Sequence, residues 1–372
     1  MKIPFHKPYI TKHEIDSVVN SLQSGWLTMG PKTIEFENQF KKFIGCKYSI
    51  SVNSATSALH LSLSALGIGC GDEVILPTNT FIATAESVLY TGATIVLCDV
   101  ETISHNIDVK LIESLITPKT KAIIPVHFAG HPCNMNSIMD ISEKYNLKII
   151  EDAAHALPSM YGDTIIGKIG DATCFSFYAT KTLSTGEGGM VVTDNSDLAE
   201  KIRLKRLHGI SGDSWSRYKN KKGWYYEVLD LGYKYNITDI QSSIGIEQLK
   251  KLEWMCKERY KIAKKYMNAF RGKINFVNSD LSDNVAWHLF VIKIKNRDEL
   301  YDKLKECGIN TSVHFIPIHK QKYYKQKFIL KDKDYPQANS IFKESLSLPI
   351  YPGLTTSEVD YIIYNVLKFA KY

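Results

Sequence analysis

A lysine set between an apolar strand and a glycine-rich turn can do chemistry that a surface lysine cannot. Lys181 follows the aromatic run Cys174-Phe175-Ser176-Phe177-Tyr178, which reads as a buried strand, and precedes Gly186-Glu187-Gly188-Gly189. Partial burial there disfavours the ammonium and frees the amine as a nucleophile that can form an imine with an aldehyde. The glycines let the backbone turn sharply beside whatever binds. Lysine is also rarely buried, so the reading depends on what accompanies Lys181.

Asp152 supplies that company. It closes the short run Lys148-Ile149-Ile150-Glu151, at the carboxyl end of a strand, where open α/β sheets bind ligands. An aspartate there can pair with a protonated pyridine nitrogen and keep pyridoxal phosphate electron-withdrawing; it can equally cap a following helix. His155 lies three residues on, on the same side of a helical turn. Asn53-Ser54-Ala55-Thr56 joins the strand Tyr48–Val52 to a helix with Leu59, Leu63 and Leu66 on one face. Free N–H groups and the positive end of the dipole suit a phosphate there, and Ser54 also suits plain capping. Ser176 offers a second hydroxyl for the same anion.

These segments resemble the sugar aminotransferases of the DegT/DnrJ/EryC1/StrS family, which use pyridoxal phosphate, and the resemblance runs over nearly the whole chain. It implies Lys181 as the residue carrying the cofactor and Asp152 facing the ring nitrogen. It implies the phosphate at Ala55 and Thr56 with Ser176, Phe81 stacked on the ring, and His155 near the ring hydroxyl. The loop Ser24-Gly25-Trp26-Leu27-Thr28-Met29-Gly30-Pro31 resembles a segment near the family's active site, with Thr28 the candidate for touching the sugar. His314-Phe315-Ile316-Pro317-Ile318-His319 resembles a substrate-facing segment, with His314 and His319 as candidates; packing or surface histidines are the alternative. Leu231 to Gln241 matches a signature whose asparagine, here Asn236, reaches the phosphate of the neighbouring subunit. That implies a homodimer with shared sites. The implied reaction is ping-pong transfer from L-glutamate to a UDP- or dTDP-linked 4-keto-6-deoxy sugar, giving a 4-amino sugar. Members acting at C3 share most of these residues. A branch with histidine in place of the lysine deoxygenates instead, and this chain has Lys181.

The elements that must hold these groups alternate along the chain. Helical spacing marks 12–23, 32–43, a segment opening at Thr78, 199–207 and a long run from Ile240 to about Phe270. Short apolar strands fall at 48–52, 73–76, 94–98, 122–125, 147–151, 174–178 and 189–193. That alternation predicts an α/β fold with a mostly parallel sheet covered on both faces. The resemblance specifies it as the type I, aspartate-aminotransferase-like fold of pyridoxal-phosphate enzymes. A large cofactor domain is expected over 1–249 and a small α+β domain over 250–372. In the latter, strands are predicted at 287–294 and 309–314, and helices at 298–307 and 356–369. The segment 208–227, with Trp215, Arg217, Tyr218, Lys219, Lys221, Lys222, Trp224 and Tyr225, reads as a basic surface loop or as a reach toward a substrate diphosphate.

Composition bounds the rest. A formal charge of +7 over 372 residues suits a small anionic substrate and is too dilute to argue for nucleic acid. No apolar window reaches membrane-spanning length, and no signal-peptide core opens the chain, so a cytoplasmic protein is expected. Seven scattered cysteines without a C-x-x-C pair predict free thiols and no metal site. His127 and His131 lack a third ligand at sensible spacing. Two other classes fit the residues less well. A nicotinamide enzyme lacks its G-x-G-x-x-G after the first strand. A non-catalytic regulator on the same fold would bring a helix-turn-helix module, for which the length leaves no room.

Overall fold

The structure, a computed structural model, describes residues 1–211, 224–277 and 284–371. Its centre is a seven-stranded sheet in the order β1-β9-β8-β5-β4-β2-β3. The strands are β1 (Tyr48–Val52), β2 (Glu73–Pro77), β3 (Thr94–Cys98), β4 (Thr120–Ile123), β5 (Lys148–Asp152), β8 (Ala172–Ser176) and β9 (Gly189–Thr193). A short hairpin, β6 (Met160–Tyr161) and β7 (Thr164–Ile165), separates β5 from β8. Only β9 runs antiparallel to its neighbours, pairing Val52 with Gly189 on one side and Ser176 with Gly189 on the other. The strands are apolar on both faces because both are covered. Ile50, Ile150, Cys174 and Val191 pack under α3 (Ala55–Ala65) and its neighbours, while Phe175, Met190 and Val192 pack with Phe36 and Phe40 of α2 (Pro31–Ile44).

This topology gathers one set of loops at one sheet edge. The carboxyl ends of β1, β2, β4, β5 and β8 lie together, and the antiparallel β9 brings its amino end to the same place. The turns carrying Ser54–Thr56, Thr80–Thr84, Asp152–His155, Ser176–Lys181 and Glu187–Gly189 therefore meet.

A second, three-stranded antiparallel sheet, β10 (Asn275–Phe276), β11 (Phe290–Lys293) and β12 (Ser345–Leu348), packs with helix 356–369 and half of helix 252–270. The apolar cores do not divide at residue 249. Ile3 belongs to the core of the C-terminal unit, its N–H donating to the Gly308 carbonyl at 2.8 Å. Ile318, Tyr324, Ala338 and Ile341 pack into the core of the large sheet. The single helix predicted over 240–270 is two helices, Asp239–Lys250 and Leu252–Phe270, broken at Lys251 with φ −113° and ψ 6°. There Lys251 pairs with Glu14, and Gln248 donates to Glu14 and to the Tyr9 carbonyl. The strand predicted over 309–314 forms only isolated pairs, Ile3 with Ile309 and Ser312 with Ser347, because it bridges two partners and runs along neither. Trp215, Arg217, Tyr218, Lys219, Lys221 and Lys222 lie outside the described residues; Trp224 and Tyr225 are exposed. All seven cysteines are free. Among the described residues no helix is long and apolar enough to cross a membrane, and no group of three or more His, Cys, Asp or Glu is arranged to hold a metal.

Candidate active site

The gathered loops enclose a cavity of about 480 Å³, the size of an ordinary small-molecule site. Lys181 is positioned by a tight loop: its N–H donates to the Tyr178 carbonyl at 2.9 Å, and the Thr182 hydroxyl next to it anchors to the Leu157 carbonyl at 2.7 Å. The loop returns through Gly186, at φ +82°, a conformation that glycine adopts without strain. Burial in the cavity wall lowers the Lys181 pKa to about 8, with the nearby Asp152 carboxylate pulling the other way.

Asp152 is buried at the end of β5. No helix follows it: the chain turns at once, the Ala156 N–H donating to the Ala153 carbonyl at 2.9 Å, and the next helix, α7, spans Ser196–Arg206. The capping alternative for Asp152 is thereby removed, and the helical turn expected to carry His155 is a loop. One Asp152 oxygen accepts the Thr84 hydroxyl at 2.8 Å and the other the Ala154 N–H at 3.1 Å. Thr84 is linked in turn to Thr80 at 2.7 Å. Burial raises the Asp152 pKa, opposed by those two hydrogen bonds and by the charge of Lys181. His155 lines the same cavity and accepts the Ala129 N–H on Nδ1 at 3.3 Å. Burial, and then the charge of Lys181, hold its pKa well below that of a free imidazole.

One end of the cavity is built from α3 and β9. Ser54 caps α3, its hydroxyl accepting the Ser57 N–H at 3.1 Å, which leaves the first N–H groups of the helix, at Ala55 and Thr56, without intrahelical partners. Both residues line the cavity with Ser176. A Cβ on Gly189 would lie 2.6 Å from the Ser54 carbonyl carbon and 2.8 Å from the Ala55 nitrogen, so only glycine lets β9 run against this helix start. Phe81 precedes α4 (Ile82–Tyr90), later than the helix start expected at Thr78. It is 56% exposed and faces Phe315 at 5.9 Å between ring centroids.

A half-buried lysine with a lowered pKa, a buried acid near it, an open helix start and an aromatic ring fit the aldehyde, pyridine nitrogen, phosphate and face of pyridoxal phosphate. The structure thus brings together Lys181, Asp152, Ala55, Thr56, Phe81, His155, Ser176 and His314. It does not bring Thr28, Asn236 or His319 to the cavity wall. Thr28 is exposed on its loop, its carbonyl accepting the Asp239 N–H at 3.2 Å. Asn236 donates to the Ile237 carbonyl at 3.2 Å, on the segment whose Tyr235 carbonyl accepts the Asn53 N–H at 2.8 Å. His319 is completely buried, its ring nitrogens 2.7 Å from the Thr78 hydroxyl and 3.0 Å from Asn339; those contacts pin the C-terminal segment to the large sheet.

Sequence reasoning missed several wall residues. Phe5, Tyr178, Glu187, His288 and Phe315 line the cavity. His288 sits with its ring 4.3 Å from that of His155, and its N–H donates to the Ala129 carbonyl at 3.1 Å. Nothing local marks it: Trp287–Ile294 reads as a strand, and only the packing of the second unit turns His288 inward. Phe5 stacks on His314 at 5.5 Å because Ile3 is tied into the C-terminal core.

The profile of the DegT/DnrJ/EryC1/StrS aminotransferase family matches residues 8–367. The spore coat polysaccharide biosynthesis protein SpsC of Bacillus subtilis is 45% identical over 378 residues, covering 99% of this chain and 97% of its own. Among solved structures, the putative sugar aminotransferase Spr1654 of Streptococcus pneumoniae in its PMP form has a TM-score of 0.92 at 32% identity over 98% of both chains. The same protein in its PLP form has a TM-score of 0.91 at 33% identity, covering 98% of this chain and 97% of its own. Helicobacter pylori PseC, an aminotransferase involved in the biosynthesis of pseudoaminic acid, has a TM-score of 0.92 at 31% identity over 99% of both chains.

Proposed function

The chain belongs to the DegT/DnrJ/EryC1/StrS aminotransferase family and is a sugar aminotransferase that depends on pyridoxal phosphate; on that premise we propose that it moves the amino group of L-glutamate to C4 of a UDP- or dTDP-linked 4-keto-6-deoxy sugar. The product is a 4-amino sugar for a surface polysaccharide. The protein works in the cytoplasm as a homodimer, with Asn236 of each subunit reaching the other's phosphate. The fold is the type I fold of these enzymes, with its mostly parallel sheet. The observation that carries the chemistry is Lys181, an amine held at a pKa of about 8 in a cavity it shares with Asp152.

Bound pyridoxal phosphate supplies an electron-withdrawing ring that takes up the charge left when the donor's α-proton departs. The protein's part is positional and protonic. At pH 7.5 a pKa of about 8 leaves about a quarter of the Lys181 amines unprotonated, against about one in a thousand for an ordinary lysine. The free Nζ would take the α-proton of the glutamate donor and deliver it to the cofactor's aldehyde carbon, acting as base and then as acid. The Asp152 carboxylate, fixed by Thr84 and Ala154, would accept the ring N–H of bound cofactor and keep that nitrogen protonated. Ala55 and Thr56 N–H groups, with the Ser176 hydroxyl, bind phosphate at the positive end of α3. Phe81 would cover the ring, and His314 would face the sugar.

The position of the ketone rests on the Ser24–Pro31 loop and the segment Lys234–Asp239, which look most like members acting at C4. Incubating the purified protein with glutamate and a panel of UDP- and dTDP-linked keto sugars, and locating the new C–N bond by NMR, decides it. Amination at C3, or of free sugars alone, overturns the assignment. Lys181→Ala is expected to abolish transfer and the covalent cofactor absorbance while the protein still folds.

A further inference from the structure

Next to Asp152 on β5 stands a second buried acid that the chemistry above does not use. Glu151 is completely buried and, as the neighbouring residue of a strand, points to the other face. Its Oε2 lies 3.0 Å from Nε2 of His127, which is equally buried, and its Oε1 accepts the Gly170 N–H at 2.9 Å and the Thr173 hydroxyl at 2.7 Å. Burial alone pushes the Glu151 pKa up; the hydrogen bonds from His127, Thr173 and Gly170 outweigh it, and the net shift is downward. The other ring nitrogen of His127, Nδ1, accepts the Cys133 N–H at 3.1 Å. A nitrogen that accepts carries no proton, so with Nδ1 accepting it is Nε2 of His127 that donates to Glu151.

His127 opens a turn that ends on His155. Within it Ala129 has φ 59°, a left-handed conformation that alanine holds only where its surroundings impose it. In that pose the Ala129 N–H donates to His155 Nδ1 at 3.3 Å, and its carbonyl accepts the His288 N–H at 3.1 Å. The His155 proton is thereby placed on Nε2, the nitrogen left to meet a ligand in the cavity that His155 lines.

We propose that Glu151 and His127 are positioning residues that, through the Ala129 turn, fix His155 as a single Nε2–H donor toward the bound cofactor. One strand then serves the cofactor twice: Asp152 acts on it directly, and Glu151 acts through the loop behind it. The identity of the ligand that meets this donor rests on the function proposed above; the tautomer does not, since it belongs to the chain alone.

The test is nitrogen-15 NMR of histidine-labelled apoprotein, with His155 assigned by its loss in His155→Gln. The wild-type protein is expected to show a protonated Nε2 and an unprotonated Nδ1 at His155. Glu151→Gln keeps the volume, but its oxygen is claimed by Gly170 and Thr173, so its amide N–H meets the His127 N–H and the pair is broken. His155 should then show mixed tautomers, and the Kd for pyridoxal phosphate should rise by the reciprocal of the remaining Nε2–H fraction, about twofold for an even mixture. His127→Gln restores a donor toward Glu151 and an acceptor toward Cys133 and should keep the wild-type signature. A wild-type His155 protonated on Nδ1 overturns the proposal whether or not any variant folds, and so does a Glu151→Gln protein with an unmixed Nε2–H tautomer. Failure of wild-type apoprotein to bind pyridoxal phosphate would count against the cofactor site instead and leave the tautomer result standing.

Discussion

Replacing Lys181 by methionine should make the apoprotein more stable, and the gain should depend on pH. The folded chain holds the Lys181 amine at a pKa of about 8, burial being the main cause, whereas the unfolded chain holds it near a lysine's usual value of about 10.5. At pH 7 both states carry the charge, and keeping it in the cavity wall costs the folded state about 3 kcal/mol, at about 1.4 kcal/mol per tenfold change in proton affinity. Between the two pKa values the unfolded state binds more protons, so stability rises with pH there, and by pH 9.5 the cost has fallen to roughly 1.4 kcal/mol. Methionine is unbranched, one heavy atom shorter than lysine, and carries no charge. Asp152 loses a favourable neighbour in the variant, which cancels part of the effect, so the expected gain at pH 7 is about 2–3 kcal/mol. Urea unfolding of both apoproteins at pH 7 and pH 9.5, compared at equal protein concentration, measures it. Equal midpoints at pH 7, or a gain that does not shrink at pH 9.5, would refute the idea that the cavity desolvates this amine. The same variant should lose all transfer, an instance of an active site held at the expense of stability.

Other perturbations test the remaining walls. Asp152→Asn keeps an oxygen for the Ala154 N–H, turns its amide N–H toward the Thr84 hydroxyl, which can reverse to accept it, and carries no charge; kcat should fall roughly 10–100-fold, the worth of a charged hydrogen bond, with cofactor still bound by absorbance, and an unchanged kcat would remove Asp152 from the chemistry. Gly189→Ala would force a Cβ to within 2.6 Å of the Ser54 backbone. The shift it imposes on the start of α3 should cost about 1–3 kcal/mol and weaken pyridoxal phosphate binding by titration, and a wild-type Kd would place the phosphate elsewhere. Asn236→Ala and Lys181→Ala proteins, each inactive or weakened alone, should recover some transfer when their subunits are exchanged; demonstrable exchange without recovery would argue against a shared phosphate site.

The placement of the candidate lysine and aspartate was legible because strand ends follow local rules, while the chemistry assigned to them came from the family resemblance. An apolar run of about five residues that ends in an acid, or in a lysine before glycines, announces a strand end whatever surrounds it, and Asp152 and Lys181 stand there. The start of α3 was readable for the same reason, since capping and small residues act within one turn. The bounds slipped where a neighbour intervened: β8 stops at Ser176 because the chain must turn to bring Lys181 back toward Tyr178, and the helix over 240–270 breaks where the N-terminal segment reaches Lys251 and Gln248. What the order of residues could not contain is who meets across the fold. His288 is far from His155 in sequence and close to it in space only because its N–H finds the carbonyl of a left-handed Ala129. Phe5 enters the cavity because Ile3 is bound into the C-terminal core, and His319 stays out of it because Thr78 and Asn339 occupy both its nitrogens. Periodicity and turn chemistry act over a few residues and are written in the chain; long-range hydrogen bonds and burial are settled only when distant segments pack, and that packing sets the tautomers and pKa values on which the site depends.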